Sequence, residues 1–192
     1  MVAKVRPRRA PRPNVTLLCR RIVADMAAKL PEMSHVKAAR ILFVAGEARR
    51  ASRATVRPLA ATGRPLVKLR GKRALYTVTL RPKFFRGSTP EERVETLLHE
   101  LFHISPGFDG TLDAARRHSQ LPRRRFDAQL RPLVRRYLSR GEATLLAGLA
   151  HHGEVVARQW LERPTGKEAR KVYTEKHLFI GPVVMITKRK LH

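Results

Sequence analysis

Thr89-Pro90-Glu91-Glu92-Arg93-Val94-Glu95-Thr96-Leu97-Leu98-His99-Glu100-Leu101-Phe102-His103 reads as one amphipathic helix with its own start signal and two histidines at its end. Thr89 can cap the helix, Pro90 suits the first helical position, and Glu92 completes a capping box. At about 100° per residue, Val94, Leu97, Leu98, Leu101 and Phe102 fill one arc that must be buried. His99 and His103 fall outside that arc, one turn apart on a common face, so both imidazoles can reach one ion. Glu100 projects beside that ion, further round. The spacing is H-E-x-x-H, in which the histidines hold zinc and the glutamate deprotonates a water. Ser105-Pro106-Gly107 is expected to end the helix.

A catalytic zinc site takes three protein ligands and leaves one position open. Two donors come from the helix, so a third is needed downstream. Asp109 lies six residues after His103, a spacing used when a helix ends and the chain turns back. That pattern has glycine where this chain has Pro106, which cannot supply the same turn. His118 lies fifteen residues after His103, past Gly107 and Gly110. Imidazole is the more usual partner of zinc, so His118 is favoured, with Asp109 as the alternative. His151 and His152 are adjacent and point to different sides of any helix; His35, His177 and His192 carry no spacing signal. Glu95, one turn before the motif, could orient His99. Cys19 is the only cysteine, which excludes a cysteine-built zinc site and an intramolecular disulfide. Its neighbours Leu17, Leu18, Ile22 and Val23 make it an apolar filler.

Further from the motif, Asn14 can cap a helix to about Leu30, with Leu17, Leu18, Ile22 and Met26 as its apolar stripe and Pro31 as its stop. Ile41 to Ala45 suits a buried strand. Ala54 to Ala60 and Pro65 to Arg70 are further candidates, and residues 74–81 alternate, with Tyr76, Val78 and Leu80 on one face. Pro122 opens a helix to about Arg140 with Phe126, Leu130, Val134, Tyr137 and Leu138 inward and a kink at Pro132. Its outward positions hold Arg123, Arg124, Arg125, Arg131, Arg135, Arg136 and Arg140. Residues 142–162 read as one more helix, interrupted near Gly153, and 177–187 as β-like. The organisation expected is a disordered basic arm over 1–13, a core over 14–140, and a C-terminal helical and β-like extension over 141–192 with a basic tail. The fold class is α+β.

The chain has 192 residues, 43% of them hydrophobic and only 6% aromatic, with 41 Lys+Arg against 15 Asp+Glu and a formal net charge of +26. A field of that size attracts polyanions. Nucleic acid is therefore a candidate partner, with Arg123, Arg124, Arg131 and Arg135 as candidate contacts. The N-terminal Arg/Pro run lacks the apolar stretch of a secretory signal, and no run of eighteen apolar residues suggests a membrane span. The expected compartment is the cytoplasm.

Within 74–118, the strand Ala74-Leu75-Tyr76-Thr77-Val78-Thr79-Leu80, then Phe84-Phe85, the capped Thr89-Pro90-Glu91-Glu92-Arg93-Val94, and His99-Glu100-Leu101-Phe102-His103-Ile104 follow in order. A loop, Asp109-Gly110-Thr111-Leu112, and the pair Arg117-His118 come next. This succession resembles a metallopeptidase family of phage and prokaryotic genomes. The likeness covers about residues 14–140 and is strongest over 74–118. It implies a zincin-like core: a small mixed sheet with an N-terminal helix, the histidine-bearing helix and C-terminal helices, with zinc as cofactor and a protein or peptide as substrate. It implies His118 as third ligand, although Asp113-Ala114-Ala115 looks like extra length before the Arg-His pair. It also implies that strand 74–81 is the sheet edge beside the cleft, where an extended peptide could pair with it. Zinc would polarise the scissile carbonyl while Glu100, as general base, moves the proton of the water to the leaving amine. Tyr137, Tyr173 and Arg117 are candidate oxyanion donors. The competing class is a basic nucleic-acid-binding protein with a structural or vestigial metal site, for which no helix-turn-helix or cysteine finger speaks.

Overall fold

The computed structural model describes residues 14–46, 52–59 and 66–151, and three short strands at 154–156, 172–174 and 184–186. The expected basic arm, 1–13, lies outside the described residues. Helix α1 (Val15–Lys29) starts at Asn14, whose side chain accepts from the Leu17 amide, and stops two residues before Pro31. Its buried face is Val15, Thr16, Cys19, Ile22, Val23 and Met26. Leu17 is exposed, because the core-facing arc centres on Cys19 and Met26, while Leu18 is half-buried against the edge of that core.

Strands β1 (Ile41–Ala45) and β2 (Ala54–Pro58) are followed by β3 (Leu66–Leu69), β4 (Lys72–Arg73) and β5 (Tyr76–Leu80). The main sheet runs β1-β5-β2, with β5 parallel to β1 and antiparallel to β2. Val78 sits at its centre, opposite Phe43 on one side and Val56 on the other. Strand 74–81 is therefore not the sheet edge that the family resemblance implied. Both of its flanks are paired, and β2 takes the edge. The alternation expected for β5 holds: Tyr76, Val78 and Leu80 join Ile41, Phe43 and Ala45 in the core that faces the helices. On the opposite face Leu42 and Val44 pack with Leu59, Val67, Leu69 and Ala74. That two-sided burial is why β1 reads as an uninterrupted apolar run.

Helices α2 (Pro82–Arg86) and α3 (Pro90–Phe102) come next. In α3 the capping box is formed in full, Thr89 accepting from the Glu92 amide while Glu92 accepts from the Thr89 amide. Such a cap contributes about 1 kcal/mol. Arg53 pairs with Glu92, tying the start of β2 to the start of α3. Helix α4 (Arg123–Arg140) continues through Pro132, an exposed position where the freed carbonyl one turn back can reach water. Its buried face is Phe126, Leu130, Leu133 and Tyr137, with Val134 and Leu138 half-buried.

Of the helix expected over 142–162, the described residues form α5 (Ala143–Gly148) and, in place of helix, β6 (Glu154–Val156); residues 152, 153 and 157–162 lie outside the described residues. Gly148, a poor helix former, is the last residue of α5. The main core cluster takes in Leu145 and Leu149, past residue 140. Strand β7 (Val172–Thr174) pairs parallel with β3, and β8 (Val184–Ile186), within the β-like tail, pairs antiparallel with β6. No helix among the described residues is long and apolar enough to cross a membrane.

Candidate metal centre

Helix α3 ends one turn after His99, with His103 as its C-cap in αR conformation. The buried arc of Val94, Leu97, Leu98, Leu101 and Phe102 fixes the helix against the core, so the face carrying His99 and His103 looks away from it. The chain then turns back. Phe108 and Gly110 take positive φ values of 48° and 95°. Gly110 donates its amide to the Tyr76 hydroxyl at 2.9 Å, and that hydroxyl donates to the Thr111 carbonyl at 2.9 Å. The central strand thus holds the loop through one buried oxygen. Ile104 bridges Leu112, and the Asp113 amide donates to the His103 carbonyl at 2.8 Å.

The segment that looked like extra length, Asp113-Ala114-Ala115, is a built element. Asp113 caps a 3-10 turn over Ala114–Arg116 by accepting from the Ala115 amide. Arg116 then pairs with Asp113, donates to the Phe102 carbonyl at 3.2 Å and lies 4.0 Å from the centre of the Phe102 ring. One arginine therefore fastens the turn to the end of α3 and aims the next residues across the helix.

As a result three imidazoles converge. The Nε2 atoms of His99, His103 and His118 are 3.3, 3.3 and 3.2 Å apart, and the three form a group that could hold a metal ion. Each Nε2 is either a donor or an acceptor, so a triangle of three contains at least one like pair; a shared cation removes that conflict. Burial and the neighbouring imidazoles push the His99 ring down to about 4, and burial does the same for His103. Both are neutral near pH 7, the form that ligates. The Arg116 backbone hydrogen-bonds the His103 ring, a contact of the kind that fixes a ligand's tautomer. His118 is exposed.

Phe126 of α4 walls the group on one side, its ring centre 4.6, 5.0 and 5.4 Å from those of His99, His103 and His118. Glu100 is 7% exposed and accepts at Oε2 from the Val56 amide of β2 at 2.7 Å. Burial lifts its carboxyl to about 7, against the opposing pull of that amide and of Arg81. The Val56 contact uses an amide on the outer flank of β2, so the edge strand and the helix meet at the glutamate.

The other candidates lie elsewhere. Asp109 is exposed, and its carboxylate is occupied by the amide and hydroxyl of Thr111 at 2.9 and 2.7 Å, within the turn that carries His118 back. Tyr137 is fully buried eleven residues beyond Phe126, about 16 Å along the helix by its rise of 1.5 Å per residue, with Asp25 beside its hydroxyl. It does not join the histidines. Arg117 is exposed next to His118, Glu95 is exposed, and the side chain of Tyr173 lies outside what the structure describes. Arg123, Arg124, Arg131 and Arg135 all stand exposed on α4. His151 is exposed and gives only its carbonyl, to Arg93; His152, His177 and His192 lie outside the described residues. Sequence reasoning missed Tyr76, Arg116, Phe126 and the Val56 amide as parts of the site. Only Phe126 carried a signal, as the first inward residue after Pro122.

The model of a family described as putative phage metallopeptidase matches residues 17–145. The chain belongs to that family. The phage metallopeptidase match covers the whole of the main sheet, all three histidines and Glu100, and all of α4. No curated protein and no solved structure matches the chain. Membership makes it a metallopeptidase acting on protein or peptide, and its three-histidine group is where a metal ion could sit.

Proposed function

We propose that the chain is a zinc peptidase in which His99, His103 and His118 hold the ion and Glu100 is the general base. The observation that carries this reading is the triangle of Nε2 atoms. Nitrogens about 2.0–2.1 Å from a tetrahedral zinc ion lie about 3.3 Å from one another, and the separations here are 3.2 to 3.3 Å. An all-imidazole set is the donor chemistry of a catalytic rather than a structural zinc site, and His118 is exposed.

Zinc held there would polarise a carbonyl and lower the pKa of a water toward about 7. The chain's own residues do the rest. Glu100, lifted to about 7 by burial, is matched to take a proton from the attacking water and hand it to the leaving amine near neutral pH. The Val56 amide holds the carboxylate by one oxygen and leaves the other for the water. Strand β2 has a partner on one side only, β5, among the described residues, and its outer flank holds Glu100 through the Val56 amide. Phe126 shields one side of the histidines from water.

Two measurements test this together. The purified protein should carry about one zinc per chain, and E100Q should retain that zinc while cleavage of an unfolded protein substrate falls by 100-fold or more, the order expected on losing a general base (~10²–10⁴). Zinc retained with cleavage unchanged would remove Glu100 from the mechanism. Zinc without cleavage by the wild type would favour the competing reading, a nucleic-acid-binding protein with a structural metal.

A further inference from the structure

Helix α4 carries seven arginines, no lysine and one acidic residue, Asp127. Of these, Arg123 pairs with Asp127 at 3.7 Å and Arg136 with Glu32 at 2.9 Å. Arg124, Arg131 and Arg135 are exposed and have no ion pair among the described residues. At about 100° per residue these three fall within an arc of about 40°, while Phe126, Leu130, Leu133 and Tyr137 fall on the opposite side. They form one straight stripe, with successive spacings of about 10 and 6 Å along the axis. Arg125, Ala128, Gln129 and Pro132 are the other exposed residues between Arg124 and Arg135.

Arg124 lies two residues before Phe126, whose ring touches all three histidines, and on the opposite side of α4 from it, so the stripe runs along the outer flank of the helix that walls the metal centre. Duplex DNA presents about one charge per 1.7 Å of its axis, and binding it asks for cations in a row rather than for pockets. Guanidinium groups suit phosphate by their planar, two-pronged donors, and the net charge of +26 supplies long-range attraction.

We propose that the Arg124-Arg131-Arg135 stripe docks the phosphate backbone of a nucleic acid, so that the protein presented to the histidines is one carried on that nucleic acid. The docking stands on α4 alone; the substrate class rests on the peptidase reading given above.

The test is the affinity of the full-length protein for a labelled DNA duplex, followed by fluorescence anisotropy as salt rises from about 50 to 200 mM. R124Q/R131Q/R135Q should reduce the slope of log affinity against log salt by about 2.7, at ~0.9 per phosphate contact, which is about 40-fold less sensitivity over that range. K68Q/K72Q/R73Q, exposed on β3 and β4, removes the same charge elsewhere and should change the slope far less. H99A/H103A should lose zinc and keep DNA binding. Equal losses in the two triple variants, or no salt-dependent binding by the wild type, would overturn the docking. Competition by polyglutamate as effective as that by DNA would overturn it in favour of an acidic protein partner. For the substrate class, the wild type should cleave a protein bound to DNA faster than the same protein free, and the stripe variant should lose that preference while still cleaving the free protein. Cleavage of neither by the wild type, with DNA binding intact, would fault the peptidase reading; equal cleavage of both would fault the substrate class.

Discussion

Replacing Tyr76 by Phe removes one oxygen atom and tests how the third histidine is delivered. Tyr76 is fully buried in the central strand, and its ring packs 5.0 Å from that of Phe108. The phenyl group can stay in place, so no cavity opens. What is lost is the bond accepted from the Gly110 amide and the bond donated to Thr111, each 2.9 Å long. Gly110 is buried, so its amide is left without a partner, and such a group costs about 1–3 kcal/mol. Adding about 1 kcal/mol for the second bond gives a loss of roughly 2–4 kcal/mol. For a chain of this size that is a fall in Tm of about 4–16 °C, at ~2–4 °C per kcal/mol. Urea unfolding of the metal-free protein should show a lower midpoint with an unchanged m-value. Zinc affinity should fall too, because the same turn carries the chain toward His118. A variant with unchanged stability and unchanged zinc affinity would refute the idea that the Tyr76 hydroxyl holds the loop.

Further outcomes follow from the same contacts. F126A removes a ring that is 1% exposed, stacked on His103 and tilted against His99 and His118; unfolding experiments should show a loss of about 3–5 kcal/mol, with weaker zinc retention against a chelator. H118A should abolish the rise in Tm that zinc gives the wild type, whereas D109N should keep it, since Asp109 is engaged by Thr111. The Cys19 thiol is fully buried and pushed up to about 12 by burial; it should resist alkylation at pH 8 in the native state and react once urea unfolds the chain.

The part of the site that could be read from the sequence is the part governed by helical period. Capping at Thr89, the buried arc of α3 and the outward placement of His99 and His103 all follow from spacing along one element. His118 could be weighed only by ligand preference, because its delivery depends on contacts remote in sequence: the Tyr76 hydroxyl on Gly110, and Arg116 on Phe102. Strand order was hidden for a related reason. Local alternation says which face of β5 is buried, but not that β1 and β2 both pair with it, so the edge was assigned to the wrong strand. The Val56 amide followed from that error, since a backbone donor has no side-chain signature. The helix expected over 142–162 ends at Gly148 because its apolar residues, Leu145 and Leu149, find the core within a single turn and a half. Tyr137 looked available as a polar tip on an apolar stripe, yet the stripe that buries it also carries it along α4 away from Phe126.

X-ray absorption at the zinc edge of the loaded protein addresses the central claim with the fewest assumptions. Three imidazole ligands and one further light atom at about 2.0 Å, falling to two imidazoles in H118A, is the predicted outcome. A wild-type spectrum with only two imidazoles, or one that H118A leaves unchanged, would contradict the three-histidine centre.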